Sequence, residues 1–248
     1  MKSIIKRGLF SLLLAFAATI TLSCAGDVKE KNPYKLDIVS DIKDYQKSVE
    51  SDSDNLLVDL KEYIPGVILD IRYADTNNFT GKKIYTEPRA FARKPVAEAL
   101  LEIQNKLNNE GLGLKIFDAY RPYAATLHFY EVYPDTTFVA APWKGSIHNK
   151  GCAIDLTLVD IVTGAELPMP TPFDDFSEKA SLNYNEPDPA KAANRAKLLS
   201  VMTEAGFTSY EHEWWHYNFK EREKYKLMDI PFEELDKINF TTIKGKNN

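Results

Sequence analysis

The stretch GSIHNKGCAIDLTL, residues 145–158, constrains the fold more than any other. Its second half, CAIDLTL, reads as a strand of mostly apolar residues. Asp155 interrupts it. A carboxylate among apolar neighbours is costly unless it is paired or bound to a metal. Any sheet that receives this strand must therefore bring a partner to Asp155. Three readings meet that demand. Asp155 is a buried structural acid, a metal ligand shared with His148 seven positions upstream, or a bystander to a reactive Cys152. Strand alternation weighs against the third. Residues three apart face opposite sides of an extended segment, and a small thiol facing a core is ordinary.

Helix and strand patterns mix around this stretch. VILDIRY (67–73), LKIFDAY (114–120), CAIDLTLVD (152–160) and WWHYNF (214–219) read as strands. A turn at Thr163-Gly164 predicts a short return strand in VTGAEL. PVAEALLEIQNKLNNEG (95–111) has helical apolar spacing and is ended by Gly111. A second helix covers Ala124 to Val132. Asp188-Pro189 opens a third, as cap and first helical residue, and Gly206 ends it. The strands near 114, 152 and 214 share one sheet. The expectation is an α+β fold, a single domain over residues 56–230 with a central, mostly antiparallel sheet flanked by helices. Residues 24–55 are charged and without sustained apolar period, and read as a flexible tether with one short helix. Residues 231–248 read as a polar C-terminal tail.

Residues 1–23 read as a signal peptide. Lys2, Lys6 and Arg7 precede an apolar run of about 14 residues, the length of a signal-peptide core rather than a membrane span. Ser23-Cys24 resembles a bacterial lipoprotein processing site, with Thr21 where the usual pattern has leucine. The expectation is an exported lipoprotein of the cell envelope. Its membrane attachment would be a lipid on Cys24, with no transmembrane helix in the mature chain. The chain has only two cysteines, so Cys152 then lacks a disulfide partner. The formal net charge of −5 gives no general attraction to nucleic acid.

Four histidines are present: His128, His148, His212 and His216. A catalytic zinc site takes about three protein ligands and keeps one position open. His148, Asp155 and His216 would supply that set. Glu213 in EWWH would remain as the carboxylate a general base requires. Glu213 and His216 are three apart, so sharing a site demands a bend where the strand begins. Each fragment alone has an ordinary reading. A histidine and an aspartate seven apart are common, Trp214 and Trp215 suit a core, and Arg121 can simply pair with Asp118. His128 reads as a surface or partly buried residue, and His212, which could compete with Glu213 for a site role, reads on spacing as solvated.

Taken together, the fragments carry a family pattern. S-x-H-x-x-G-x-A-x-D is present as Ser146, His148, Gly151, Ala153 and Asp155. E-W-W-H follows as Glu213 to His216, and D-x-Y-R-P precedes both as Asp118, Tyr120, Arg121 and Pro122. Tyr73 and Phe173-Asp174 add further matches. Over residues 66–220 the chain resembles the zinc D-alanyl-D-alanine dipeptidases of the vancomycin-resistance type. Their clan includes D,D-carboxypeptidases and the Hedgehog domain, which implies a Hedgehog/D,D-peptidase-like fold.

The resemblance implies one Zn2+ per chain on His148, Asp155 and His216. It implies Glu213 as general base and Arg121 near the scissile carbonyl. Tyr73 and Asp174 match residues that hold the substrate's amine, Ser146 lies near its carboxylate, and Asp118 joins the substrate-binding set. The sequence departs from the pattern at Ile147 and Cys152, where the family dipeptidase has serines, and Tyr85 aligns only loosely with a pocket tyrosine. The implied activity is zinc-dependent hydrolysis of the small dipeptide D-alanyl-D-alanine, in antibiotic resistance or in recycling of wall dipeptides. An exported zinc D,D-carboxypeptidase acting on peptidoglycan stems is the main alternative. A zinc-binding module without catalysis and a cysteine hydrolase using Cys152 are the others.

Overall fold

The strand that carries Asp155 lies in the middle of a five-stranded sheet. The structure, a computed structural model, describes residues 30–236. The signal peptide, Cys24 and residues 237–248 of the expected tail lie outside the described residues. In chain order the elements are β1 (Ile38–Val39), α1 (Ile42–Ser51), β2 (Leu57–Asp59), α2 (Leu60–Tyr63) and β3 (Ile68–Leu69). Then come β4 (Phe91–Arg93), α3 (Lys94–Asn108), β5 (Leu112–Asp118), α4 (Tyr123–Val132) and β6 (Ala153–Asp160). The chain continues with α5 (Pro189–Glu204), β7 (Phe207–Tyr210), β8 (Glu213–Phe219), β9 (Leu227–Met228) and α6 (Phe232–Leu235). The main sheet has the order β3-β5-β6-β8-β7. β3 runs parallel to β5, and the other three pairings are antiparallel. The α+β architecture with a mostly antiparallel central sheet is the expected one.

Seven of the eight residues of β6 are buried, so both faces of the central strand are covered. α3 supplies part of the cover. It buries Val96, Ala97, Leu100, Ile103, Gln104 and Leu107, a stripe at helical spacing. Gln104 is polar within that stripe because its Oε1 accepts from the Leu114 N–H of β5 at 2.9 Å. α5 starts as read, with the Asp188 side chain accepting from the Ala190 N–H at 2.9 Å and Pro189 in the first turn. Among the described residues no helix is long and apolar enough to cross a membrane.

The structure differs from the sequence reading in three places. VILDIRY forms only the short β3, and Arg72–Ala74 then make a 3-10 turn. The cause is local. The Tyr73 carbonyl accepts from both Ile84 and Tyr85 N–H groups at 2.8 Å, which draws the chain out of the sheet. The return strand in VTGAEL shrinks to one bridge, Val159 to Glu166. Pro168 and Pro170 follow closely and cannot donate to a ladder.

The third difference is at the termini. The supposed tether is structured from Tyr34, where the compact unit begins. β1 pairs in parallel with β9, and α1 buries Tyr45 and Val49. Its charged residues hid this, because only one face of a short helix needs to be apolar. The supposed tail likewise begins with α6, which buries Phe232 and Leu235.

Tyr45 offers a test of this docking. Its hydroxyl accepts from the Leu57 N–H at 2.6 Å, and both residues are about 1% exposed. Tyr45→Phe leaves that buried N–H unpaired. The expected loss is about 1–3 kcal/mol of stability, read as a lower urea midpoint at unchanged slope. An unchanged midpoint would mean that α1 does not pack as described.

Candidate metal centre and active site

Three strand neighbours build the centre. On β6, Asp155 sits opposite His216 of β8 and Asp118 of β5. A shift in the β5–β6 register between Ile116 and Asp118 brings Asp118 to that row. His148 arrives from a 3-10 turn, His148–Lys150, just before the strand. Gly151 closes the turn at φ 72, and a Cβ there would lie 2.7 Å from Leu57 Cδ2. The turn therefore requires glycine, for conformation and for space.

The donor atoms converge. His148 Nε2 lies 3.2 Å from His216 Nδ1 and 3.4 Å from Asp155 Oδ1, and His216 Nδ1 lies 3.0 Å from Asp155 Oδ1. All three ligand atoms fall within 4.8 Å of one another. In a tetrahedral zinc site with bonds of about 2.0–2.1 Å, neighbouring donors stand about 3.3 Å apart. The observed spacing fits such an ion.

The far nitrogen of each ring is held too. The carbonyl of Ala119 lies 2.7 Å from His148 Nδ1, and Asn218 Oδ1 lies 3.0 Å from His216 Nε2. With both oxygens accepting N–H, the opposite ring nitrogens are left as lone-pair donors toward the cluster. Burial opposes charge on Asp155, but the positive charge and N–H donation of His148 and His216 when protonated hold its carboxyl well below the usual range, and a metal cation in place of those protons would do the same. An ionised carboxylate and two imidazoles with free nitrogens form a donor set suited to a divalent metal.

Glu213 and Arg121 face the same cleft. Glu213 Oε2 lies 3.8 Å from His216 Nδ1. The predicted bend exists. Tyr210 pairs with Glu213 but Ser209 pairs with Tyr217, so Trp214, Trp215 and His216 have no partner on β7. That irregularity breaks the alternation and places Glu213 and His216 on one side. Burial pushes the Glu213 carboxyl well up, helped by Asp155 and Asp174. Arg121 is buried, which works against its charge, but Asp118 raises its pKa well above normal. Its Nε and Nη2 both donate to Asp118 Oδ2, at 3.0 and 2.7 Å. That leaves Nη1 for a ligand.

The cleft has a volume of about 430 Å³, ordinary for a small-molecule site (roughly 300–1,000 Å³). Tyr73, Ser146 and Asp174 line it with the cluster. The Tyr73 hydroxyl lies 3.1 and 3.0 Å from the two oxygens of Asp174, which sits at φ 62 in a left-handed turn. Burial and the nearby Asp155 push the Asp174 carboxyl up to about 8.

Asp118 is placed differently from the expectation. It is 1% exposed and does not line the cleft. Tyr85 donates to its Oδ1 at 2.9 Å, and Arg121 takes Oδ2. Its carboxylate holds the Arg121 guanidinium. Tyr85 is buried on Asp118 and is not a cleft residue. Cys152 is fully buried, is not part of the cluster and has its thiol pushed up to about 12 by burial. A nucleophile needs access and a lowered pKa, and Cys152 has neither. His128 and His212 are partly buried and outside the cluster.

The sequence reading missed Asn218 and Asn149. Asn218 lies two residues from His216, on the same strand face, so alternation held a signal for it. Asn149 is buried. It accepts from the Ser146 N–H at 2.7 Å and donates to the Arg121 carbonyl and Thr126 hydroxyl, both at 2.9 Å. Only the folded turn reveals that role.

Comparison with known proteins places the chain in a family. Residues 53–236 match the D-ala-D-ala dipeptidase family. The chain is 36% identical over 176 residues to the D-alanyl-D-alanine dipeptidase of Escherichia coli (strain K12), covering 71% of this chain and 91% of that protein. It is 35% identical over 193 residues to the protein of that name from Enterococcus faecalis, covering 70% and 92%. The Enterococcus faecium protein of the same name is 35% identical over 178 residues, covering 64% and 88%. The chain therefore belongs to the D-ala-D-ala dipeptidase family.

Asn218→Ala frees the His216 ring to turn. The expected result is metal affinity weakened by about 10–100-fold, measured by competition with a chromogenic chelator, with the fold intact by circular dichroism. Unchanged affinity would show that the hydrogen bond does not orient the ligand.

Proposed function

We propose that this chain hydrolyses D-alanyl-D-alanine with one Zn2+ on His148, Asp155 and His216. The observation that carries the reading is the convergence of those donors beside Glu213 and Arg121 in one cleft. Zn2+ at such a site lowers the pKa of water towards neutrality and polarises a carbonyl. The remaining roles fall to the chain's own side chains.

Glu213 takes the proton from the attacking water and returns it to the leaving amine. Its raised pKa lets it hold that proton between the two steps. Arg121 Nη1 donates to the developing oxyanion, a contact of the kind that contributes about 3–4 kcal/mol per donor. Asp118 and Tyr85 fix the guanidinium so that this donor does not have to reorganise. Asp174 and Tyr73 receive the free ammonium of the dipeptide. An arriving cation offsets the burial that keeps the Asp174 carboxyl up near 8, and so restores its charge. A buried group of this kind disfavours substrates that leave it unpaired, which selects a free N-terminus over an acylated one.

The N-terminal segment supports an exported, lipid-anchored protein, and with it the second reading, a D,D-carboxypeptidase of the wall. Cleavage of an N-acylated stem tripeptide in preference to free D-alanyl-D-alanine would favour that second reading.

Glu213→Ala is the test of the mechanism. The variant is expected to keep one zinc per chain and to lose about 10²–10⁴-fold in kcat, measured as D-alanine release. Turnover at the normal rate would remove Glu213 from the chemistry.

A further inference from the structure

The proposed substrate is a zwitterion, and the roles assigned so far leave its carboxylate without a cation. Asp174 and Tyr73 serve the ammonium, and Arg121 is bound to Asp118 with one nitrogen left for the oxyanion. Arg121 and Lys144 are the only arginine or lysine among the residues lining the cleft. Lys144 is exposed and has no ion-pair partner among the described residues. It stands in a cleft whose other charged side chains include Asp155, Asp174 and Glu213.

The turn that carries Lys144 is built. The Ala141 carbonyl accepts from the Lys144 and Gly145 N–H groups at 2.9 and 3.1 Å. The Tyr123 hydroxyl donates to the Pro142 carbonyl at 2.8 Å. Trp143 packs edge-on against Tyr130 and Tyr34, at 5.3 and 6.2 Å between ring centres. Gly145, at φ 76, lies so close to Leu227 of β9 that a Cβ would come within 2.7 Å of it. Anchors on both sides of Lys144 fix its backbone while its side chain stays free. Ser146, two residues on, lines the same cleft and leads into the turn that bears His148.

We propose that Lys144 is a specificity-determining residue that receives the free α-carboxylate of the substrate. The inference rests on the proposed peptidase activity and names the residue that makes an unblocked C-terminus matter to it. The rigid turn fixes the Lys144 backbone at the cleft wall, and the flexible stem lets its ammonium group follow the ligand. A carboxylate is the group a point charge of this kind binds.

The experiment compares D-alanyl-D-alanine with its C-terminal amide in the zinc-loaded enzyme. Lys144→Ala is expected to raise KM for the free acid by roughly fivefold, the ratio that about 1 kcal/mol for an exposed ion pair gives. The kcat for the acid and all constants for the amide should stay close to wild type. Lys144→Arg should restore most of the KM, and Lys144→Glu should raise it further than alanine does. Equal effects on acid and amide, or no effect on either, would overturn the assignment while the peptidase reading stands. Wild-type protein that releases no D-alanine from the dipeptide would overturn both.

Discussion

Asp155 is flanked on both sides along one row of the sheet, by Asp118 on β5 and by His216 on β8. Two buried carboxylates side by side repel each other and are tolerated only if cationic or hydrogen-bonding groups stand between and around them. The structure supplies these groups. Arg121 Nη2 lies 2.7 Å from Asp118 and 4.0 Å from Asp155, and the His148 ring lies between the same two acids, at 3.8 and 3.4 Å. Removing one partner from such a set costs about 3–5 kcal/mol. A one-residue slip of β6 would turn Asp155 to the other face and separate it from every partner. The electrostatics of the row and the register of the sheet therefore enforce each other.

Each remaining group reaches the row by a different local device. A 3-10 turn closed by Gly151 delivers His148. The irregular pairing at the start of β8 delivers Glu213 beside His216. The 3-10 turn at Arg72–Ala74 delivers Tyr73, and a left-handed residue delivers Asp174. These departures from regular structure cluster around the cleft, while α3 keeps its expected apolar face and α5 its expected Asp188 cap. A regular frame that carries irregular, functional termini is how a sheet can present side chains from many strands to one ligand.

The distribution of what could be read from the sequence follows the same division. α3, α4 and α5, the three central strands and the Asp188 cap were legible because periodicity and capping chemistry are local signals. The three metal-binding candidates were legible because a buried acid and spaced histidines are unusual, and the need for a bend at Glu213 followed from strand alternation. That Asp118 braces Arg121 and stands behind the cleft was not legible, because no sequence signal separates a residue lining a site from one that holds its neighbour. The bond from Tyr85 to Asp118 was hidden for the same reason. The docking of α1 was hidden by the charged residues around its single apolar face, and that of β1 because its partner β9 lies far off in the chain.

The central claim is that the row of β6 and its neighbours holds one zinc and that cleavage of the dipeptide depends on it. The most direct measurement is D-alanine release from D-alanyl-D-alanine by protein stripped with chelator and then titrated with Zn2+. The account predicts no turnover in the stripped protein and recovery that saturates at one zinc per chain, with His216→Ala failing to recover. Full turnover by the stripped protein, or none by protein carrying one zinc per chain, would contradict it.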